Sequence, residues 1–297
     1  MHRPADHYGH PPHKRNRHAL KGGQLAITRR TQERAIDLLL SGDVEKAEKV
    51  LKRAGGDWWR FGKRLCAVVR DMESGAPFKI ITQVGNIKLP FAEFSTLPGY
   101  TCPGAGECIT YCYSYKAWRY PAAFFRQLQN TLIINAGRYD LIAEAFQPIG
   151  KGAHLRLYVN GDIDSLETLE FWFELLTVRP DVRAYGYSKS WDIFLEYTGE
   201  FPTNYVLNIS NGSAYDADNS KRDRLKSLPI TRGEFIGIPI DHKLAGKYGT
   251  QEYKSAVRES ASEKGFLCPG RCGECTKTTH ACGDLRFSDI PILIGIH

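Results

Sequence analysis

Apolar side chains recur at helical spacing in the first quarter of the chain and in strand-length runs after it. Ala35, Leu38 and Leu39 share one side of a helix that Thr31 can cap and that runs to Leu40. Ser41-Gly42-Asp43 breaks it. A second helix from Val44 to about Ala54 carries Val44, Ala47, Val50 and Leu51 as its apolar stripe, and Gly55-Gly56 ends it. A third carries Trp58, Trp59, Phe61, Leu65 and Val68. Residues 25–75 thus read as a helical extension, a buttress or docking element with Cys66 packed in it as a small apolar residue.

From residue 76 the pattern alternates. Strands are predicted at Phe78–Val84, His154–Val159, Val182–Tyr187, Tyr205–Ile209, Phe235–Ile240 and Ile292–Ile296. Helices are predicted from Pro121 to about Asn135 and over Leu166–Thr177, Trp191–Tyr197, Ser220–Leu228 and Gln251–Glu263. Strands alternating with helices imply the α/β class. The expectation is a partial (β/α)6-like barrel of mainly parallel strands over residues 76–297, with the N-terminal helical extension and a C-terminal Cys-rich metal-binding loop.

Composition is that of a globular protein, with 42% hydrophobic and 25% charged residues among 297. No apolar run is long enough to span a membrane, and no apolar signal core opens the chain, so no membrane partner and a cytoplasmic location are expected. The net charge of +7 is concentrated at the start, where Arg3, Lys14, Arg15, Arg17, Lys21, Arg29 and Arg30 face only Asp6. Residues 1–24 read as a disordered basic arm able to contact nucleic acid, and the remainder is close to neutral.

Four predicted strands end in small polar residues: Asn160-Gly161-Asp162, Ser188-Lys189-Ser190, Ser210-Asn211-Gly212-Ser213 and Asp241-His242-Lys243. In parallel β/α proteins ligands bind at that edge. Asn160, Asp162, Ser188, Asn208 and Ser210 are therefore cofactor-binding candidates, with Asp164 a further one. Lys189 and Asp241 are candidates for proton transfer. Lys116, Trp118, Arg119 and Tyr120 could anchor a carboxylate or phosphate.

The cysteines fall into two groups, which without a secretion signal points to metal rather than disulfides. Cys102, Cys108 and Cys112 have the spacing C-x5-C-x3-C, with Gly104 and Gly106 allowing a tight loop. Three thiolates can hold three corners of an iron–sulfur cubane and leave one iron open. The alternative is zinc with a fourth ligand such as His154, His242 or His280. Cys268, Cys272, Cys275 and Cys282 form a complete four-thiolate set that suits a second 4Fe-4S cluster or a structural zinc ion.

A cysteine triplet after the first strand of a β/α chain, with Tyr111 just before its third cysteine, resembles the radical S-adenosylmethionine enzymes. The resemblance implies that Cys102, Cys108 and Cys112 bind a 4Fe-4S cluster and that its free iron chelates S-adenosylmethionine. It also implies that Tyr111 sits beside the adenine, with Asn160-Gly161-Asp162 gripping the methionine amino group. Cys268, Cys272 and Cys275 repeat the spacing common in that superfamily, yet only one predicted strand follows them, so catalysis is assigned to the first group. The stretches GNIKLP, TCPGAGECITYCYSYKAWRYP, RAYGYSKSW and CPGRCGEC are similar to the phage and plasmid family called gene product 88. That family implies a mobile-element origin.

The leading expectation is a radical S-adenosylmethionine-like iron–sulfur enzyme. It would take an electron donor and act on a polar small molecule, a nucleobase or a nucleic acid. The alternatives are a non-enzymatic zinc protein that binds nucleic acid or a host protein, and a redox or regulatory iron–sulfur protein.

Overall fold

The computed structural model describes residues 27–71, 75–83, 85, 89–241, 249–273, 275, 280–288 and 290–296. The expected basic arm over residues 1–24, Val84 at the end of the first expected strand, His242 and Lys243 lie outside them. The chain divides into two compact units. One runs to Ile80 and takes in Tyr113–Phe146; the other comprises Ile81–Cys112 and the chain from Gln147.

The first unit is helical. α1 (Arg29–Leu40) is capped by Thr28, whose Oγ1 accepts the Thr31 N–H at 3.2 Å, so the cap lies three residues before the expected Thr31. Thr28 has the extended backbone that a cap requires, whereas Thr31 is already inside the helix. α2 (Val44–Ala54) begins at its Asp43 cap, and α3 is Gly56–Arg70. α4 (Cys108–Tyr111) is a single turn in the other unit. α5 spans Pro121–Asn135 as expected, and α6 (Tyr139–Phe146) was not foreseen. Trp58 packs edge-on against Phe124, with ring centroids 5.5 Å apart, and Cys66 is buried.

Over the described residues 78–83 the expected strand is reduced to a single antiparallel bridge between Thr82 and Glu93. Gln129 Oε1 accepts the Phe78 N–H at 2.8 Å and its Nε2 donates to the Phe78 carbonyl at 3.0 Å, while Asn130 Nδ2 donates to the Ile80 carbonyl at 3.0 Å. Amide side chains of α5 thus satisfy the backbone groups that a strand would have paired.

Among the described residues the second unit holds a curled half-barrel sheet of seven parallel strands. They are β1 (Ala92–Glu93), β2 (His154–Arg156), β3 (Arg183–Ser188), β4 (Tyr205–Ser210), β5 (Thr231–Pro239), β6 (Phe266–Leu267) and β7 (Ile292–Ile296). Their order is β1-β2-β3-β4-β5-β7-β6. Six strands were expected. β1 replaces the one at Phe78–Val84, and the two-residue β6 adds an edge beyond β7, too short to leave a periodic signal.

β4 is buried along its whole length, as a central parallel strand is. Alternate residues divide between the two faces. Tyr205 packs on Phe173 of α7 (Leu166–Val178) and Phe194 of α8 (Trp191–Glu196). α9 (Asn219–Lys226) packs beside β5, and α10 (Gln251–Ser260) covers Ile238 and Leu293 through Tyr253 and Val257. Val206 lies in a second cluster with Tyr185, Ile292 and Cys282, against which Phe235, Cys268 and Cys275 pack. Helices therefore pack on one face, and Cys268, Cys275, Ala281, Cys282 and Phe287 pack on the other. Among the described residues no helix is long and apolar enough to cross a membrane.

Candidate functional site at the carboxyl edge of the half-barrel

The loop after β1 carries the first three cysteines and is fastened to the loops that follow β2, β3 and β4. Asp162 N–H donates to the Thr101 carbonyl at 3.2 Å. Gly106 and Cys108 N–H both donate to the Gly212 carbonyl, at 3.0 and 3.1 Å, and Ala214 N–H donates to the Gly104 carbonyl at 3.0 Å. Ser213 Oγ contacts the carbonyls of Gly104 (3.1 Å) and Lys189 (2.9 Å), joining the cysteine loop to two strand ends. Such close approach demands glycine: a Cβ on Gly104 would stand 1.9 Å from the Lys189 carbonyl oxygen. Gly212, at φ +81°, leaves room for the Tyr111 hydroxyl.

Cys102, Cys108 and Cys112 are half-buried free thiols. Gly99 N–H points at Cys102 Sγ at 3.4 Å. Burial drives the Cys102 thiol pKa well up, and the charges of Asp162, Cys112 and Cys108 add to that. Burial pushes Cys108 up to about 11, opposed by the nearby Lys189 ammonium. Asp162 is buried; its carboxylate accepts the N–H groups of Ile163 and Lys189, both at 2.8 Å, yet burial still raises its pKa. Lys189 Nζ donates to Ser210 Oγ at 2.8 Å. Ser188 Oγ accepts the Ser190 N–H at 3.0 Å. The edge therefore gathers three thiols, a buried carboxyl group and an ammonium.

Of the remaining residues singled out from the sequence, Tyr111 adjoins this group, and burial raises its phenol pKa. The Asn160 carbonyl accepts the Thr96 N–H, and its side chain reaches Ser95 Oγ at 3.4 Å. Asp164 keeps one buried carboxylate oxygen without a hydrogen-bond partner. Asp241 is exposed just past β5. Trp118 is buried in the helical unit, and Tyr120 is 67% exposed there. Asn208 is not at this edge. It is fully buried, with Nδ2 donating to the carbonyls of Gly186 (3.1 Å) and Cys282 (2.8 Å) and Oδ1 accepting from Arg232 Nε (2.6 Å). Sequence reasoning passed over Thr96 and Thr101, which help fasten the loop, whereas Ser213 stood in the polar strand-end set after Tyr205–Ile209.

The second cysteine group lies against the opposite sheet face from α7 and α8. Cys268 N–H donates to the Leu293 carbonyl at 2.8 Å, and Cys275 Sγ accepts the Ala281 N–H at 3.3 Å. Burial pushes Cys282 up to about 12, and the Tyr187 hydroxyl beside it acts the other way. His154 Nδ1 and His280 Nε2 are 3.0 Å apart and ring-packed with Phe91, so they face each other across this side of the sheet. Burial and the neighbouring His154 lower His280 to about 4.

Among the described residues no three His, Cys, Asp or Glu side chains are drawn together as ligands of a single metal ion. The donor chemistry of the first loop nonetheless suits iron and sulfide. Three thiols share one short loop, with a backbone N–H aimed at one sulfur.

The fold and this edge define an α/β protein whose parallel half-barrel presents a thiol-rich loop at its carboxyl end. The chain belongs to the gene product 88 family, which matches residues 71–284, a span that includes all seven grouped cysteines. No curated protein and no solved structure matches it.

Proposed function

We propose that the protein is an iron–sulfur enzyme of the radical S-adenosylmethionine type. The observation that supports this reading is the fastening of the Cys102–Cys112 loop onto the ends of β3 and β4, beside Asp162 and Lys189. Cys102, Cys108 and Cys112 would hold a 4Fe-4S cluster. That cluster and S-adenosylmethionine, when bound, would supply one-electron reductive cleavage and hydrogen abstraction. Lys189, held by Ser210, offers a cation to a carboxylate and can hold or release a proton. Asp162 and the Asn160 amide offer acceptors and donors to an amino group, and Tyr111 offers an aromatic face. Exposed Asp241 is proposed to exchange protons with solvent. A half-buried edge rich in polar groups fits a polar substrate, a nucleobase among them, and the chemistry needs an electron donor.

Anaerobically purified protein should be brown, with broad absorbance near roughly 400 nm from thiolate-to-iron charge transfer. With dithionite and S-adenosylmethionine it should release 5′-deoxyadenosine, and Cys108→Ala should abolish release. Colourless protein carrying zinc after anaerobic iron and sulfide reconstitution would overturn the proposal in favour of a zinc-binding accessory protein. A loaded cluster without cleavage would leave a redox or regulatory iron–sulfur protein.

A further inference from the structure

We propose that Cys268, Cys272, Cys275 and Cys282 hold a negatively charged metal–thiolate centre, and that Arg232, assisted by Arg156, is the buried cation that balances it. The inference stands apart from the chemistry assigned to the first loop. Arg232 carries a charge that its hydrogen bonds do not neutralise. Arg232 is 1% exposed, and its guanidinium donates to Asn208 Oδ1 (2.6 Å) and to the carbonyls of Glu234 (2.6 Å), Ile290 (2.7 Å) and Phe287 (3.3 Å). Every one of these acceptors is neutral. The Glu234 carboxylate acts on Arg232 only as a lesser charge, after Cys282 and Tyr187, and forms its ion pairs with Arg222 and Lys226, at 3.2 and 3.5 Å. Neutral acceptors do not repay the removal of a guanidinium from water; an opposite charge is needed.

The foremost electrostatic neighbour of Arg232 is the Cys282 sulfur, and Arg156 acts on the same sulfur. Arg156 stands on β2 with its guanidinium 4.7 Å from the centre of the Tyr187 ring. Cys268 and Cys275 pack in one cluster with Cys282, and Cys272 lies beside Tyr185 in that cluster. A thiol carries no charge to offer, whereas thiolates bound to zinc or to an iron–sulfur core leave a net negative charge. Asn208 makes the link mechanical as well, since its one amide group holds both the Cys282 carbonyl and Arg232 Nε. Arg232 is thus a positioning residue that supplies both charge and alignment from outside the ligand set.

The test uses the full chain with Cys102, Cys108 and Cys112 all replaced by Ser, so that bound metal reports the second group alone. One sample is reconstituted anaerobically with ferrous iron and sulfide, another with zinc alone, and metal per chain is measured after gel filtration. Retention of either upholds the centre and identifies it; retention of neither overturns it. In Arg232→Gln the loss of metal to a chelator should quicken about 10- to 100-fold, as for other outer partners of metal ligands, and Arg232→Lys should restore most of the retention. Arg156→Gln, at a half-buried position outside the β5 network, decides the matter if circular dichroism shows Arg232→Gln unfolded. Folded Gln variants that keep metal as long as the unsubstituted Arg chain would refute the role of the cations. Cleavage of S-adenosylmethionine is read only with the first loop intact, so the two readings fail separately.

Discussion

Gly104→Ala isolates the contact that seats the first cysteine loop. The new methyl would stand 1.9 Å from the Lys189 carbonyl oxygen and 2.7 Å from Ser190 Cα, both backbone atoms that cannot swing aside. The loop must lift by more than an ångström, which breaks the Ala214 N–H and Ser213 Oγ bonds to the Gly104 carbonyl. Each such bond is worth about 1 kcal/mol net, and leaving its buried groups unpaired raises the cost, so the variant should lose about 2–4 kcal/mol. Gly150→Ala is the matched control, because a Cβ there meets nothing within 4 Å. Urea unfolding followed by tryptophan fluorescence gives both values from midpoints at equal slope. A Gly104→Ala protein within about 0.5 kcal/mol of the Gly150→Ala control would show that the loop does not depend on this seat.

Gln129→Ala strips both hydrogen bonds from the Phe78 backbone and should cost about 1–3 kcal/mol, with faster amide exchange at Phe78; unchanged exchange would contradict the account of the missing strand. Asp181→Asn removes the partner of Arg179, whose guanidinium holds the Asp181 carboxyl below its ordinary 3.8. A depressed folded-state pKa contributes stability above the unfolded value and loses it as pH falls through the folded one. The variant should therefore be less stable than the native protein at pH 7 and equal to it once the pH is well below 3.8, in urea melts at both pH values.

Much of the fold was legible because it rests on local signals. Pro121 at the first helical turn and the apolar stripe of α2 are read from a few neighbouring residues, and these elements, like the helix expected from Leu166, fall where expected. The strand-end residues Asp162, Ser188, Lys189 and Ser210 were legible as a set because parallel strands end at one edge, and there they meet. Phe78–Val84 misled for the converse reason: its apolar run suits a strand, but distant Gln129 and Asn130 claim its backbone. Asn208 shows the limit within a strand. Alternation assigns it to a face, yet only the path of the Cys282 segment decides what that face meets.

The amino-acid sequence alone thus determined the α/β alternation, the helical start and the grouping of seven cysteines into two sets. Local backbone preferences and side-chain periodicity act over a few residues, and thiol spacing is a property of the chain itself. The tertiary structure decided the position of β1, the burial of Arg232 beside Asn208 and the Phe287–Ile290 carbonyls, and the seating of the first set on the loops after β3 and β4. Those depend on atoms brought together from 50 or more residues apart, where shape and desolvation, rather than local preference, select the partner.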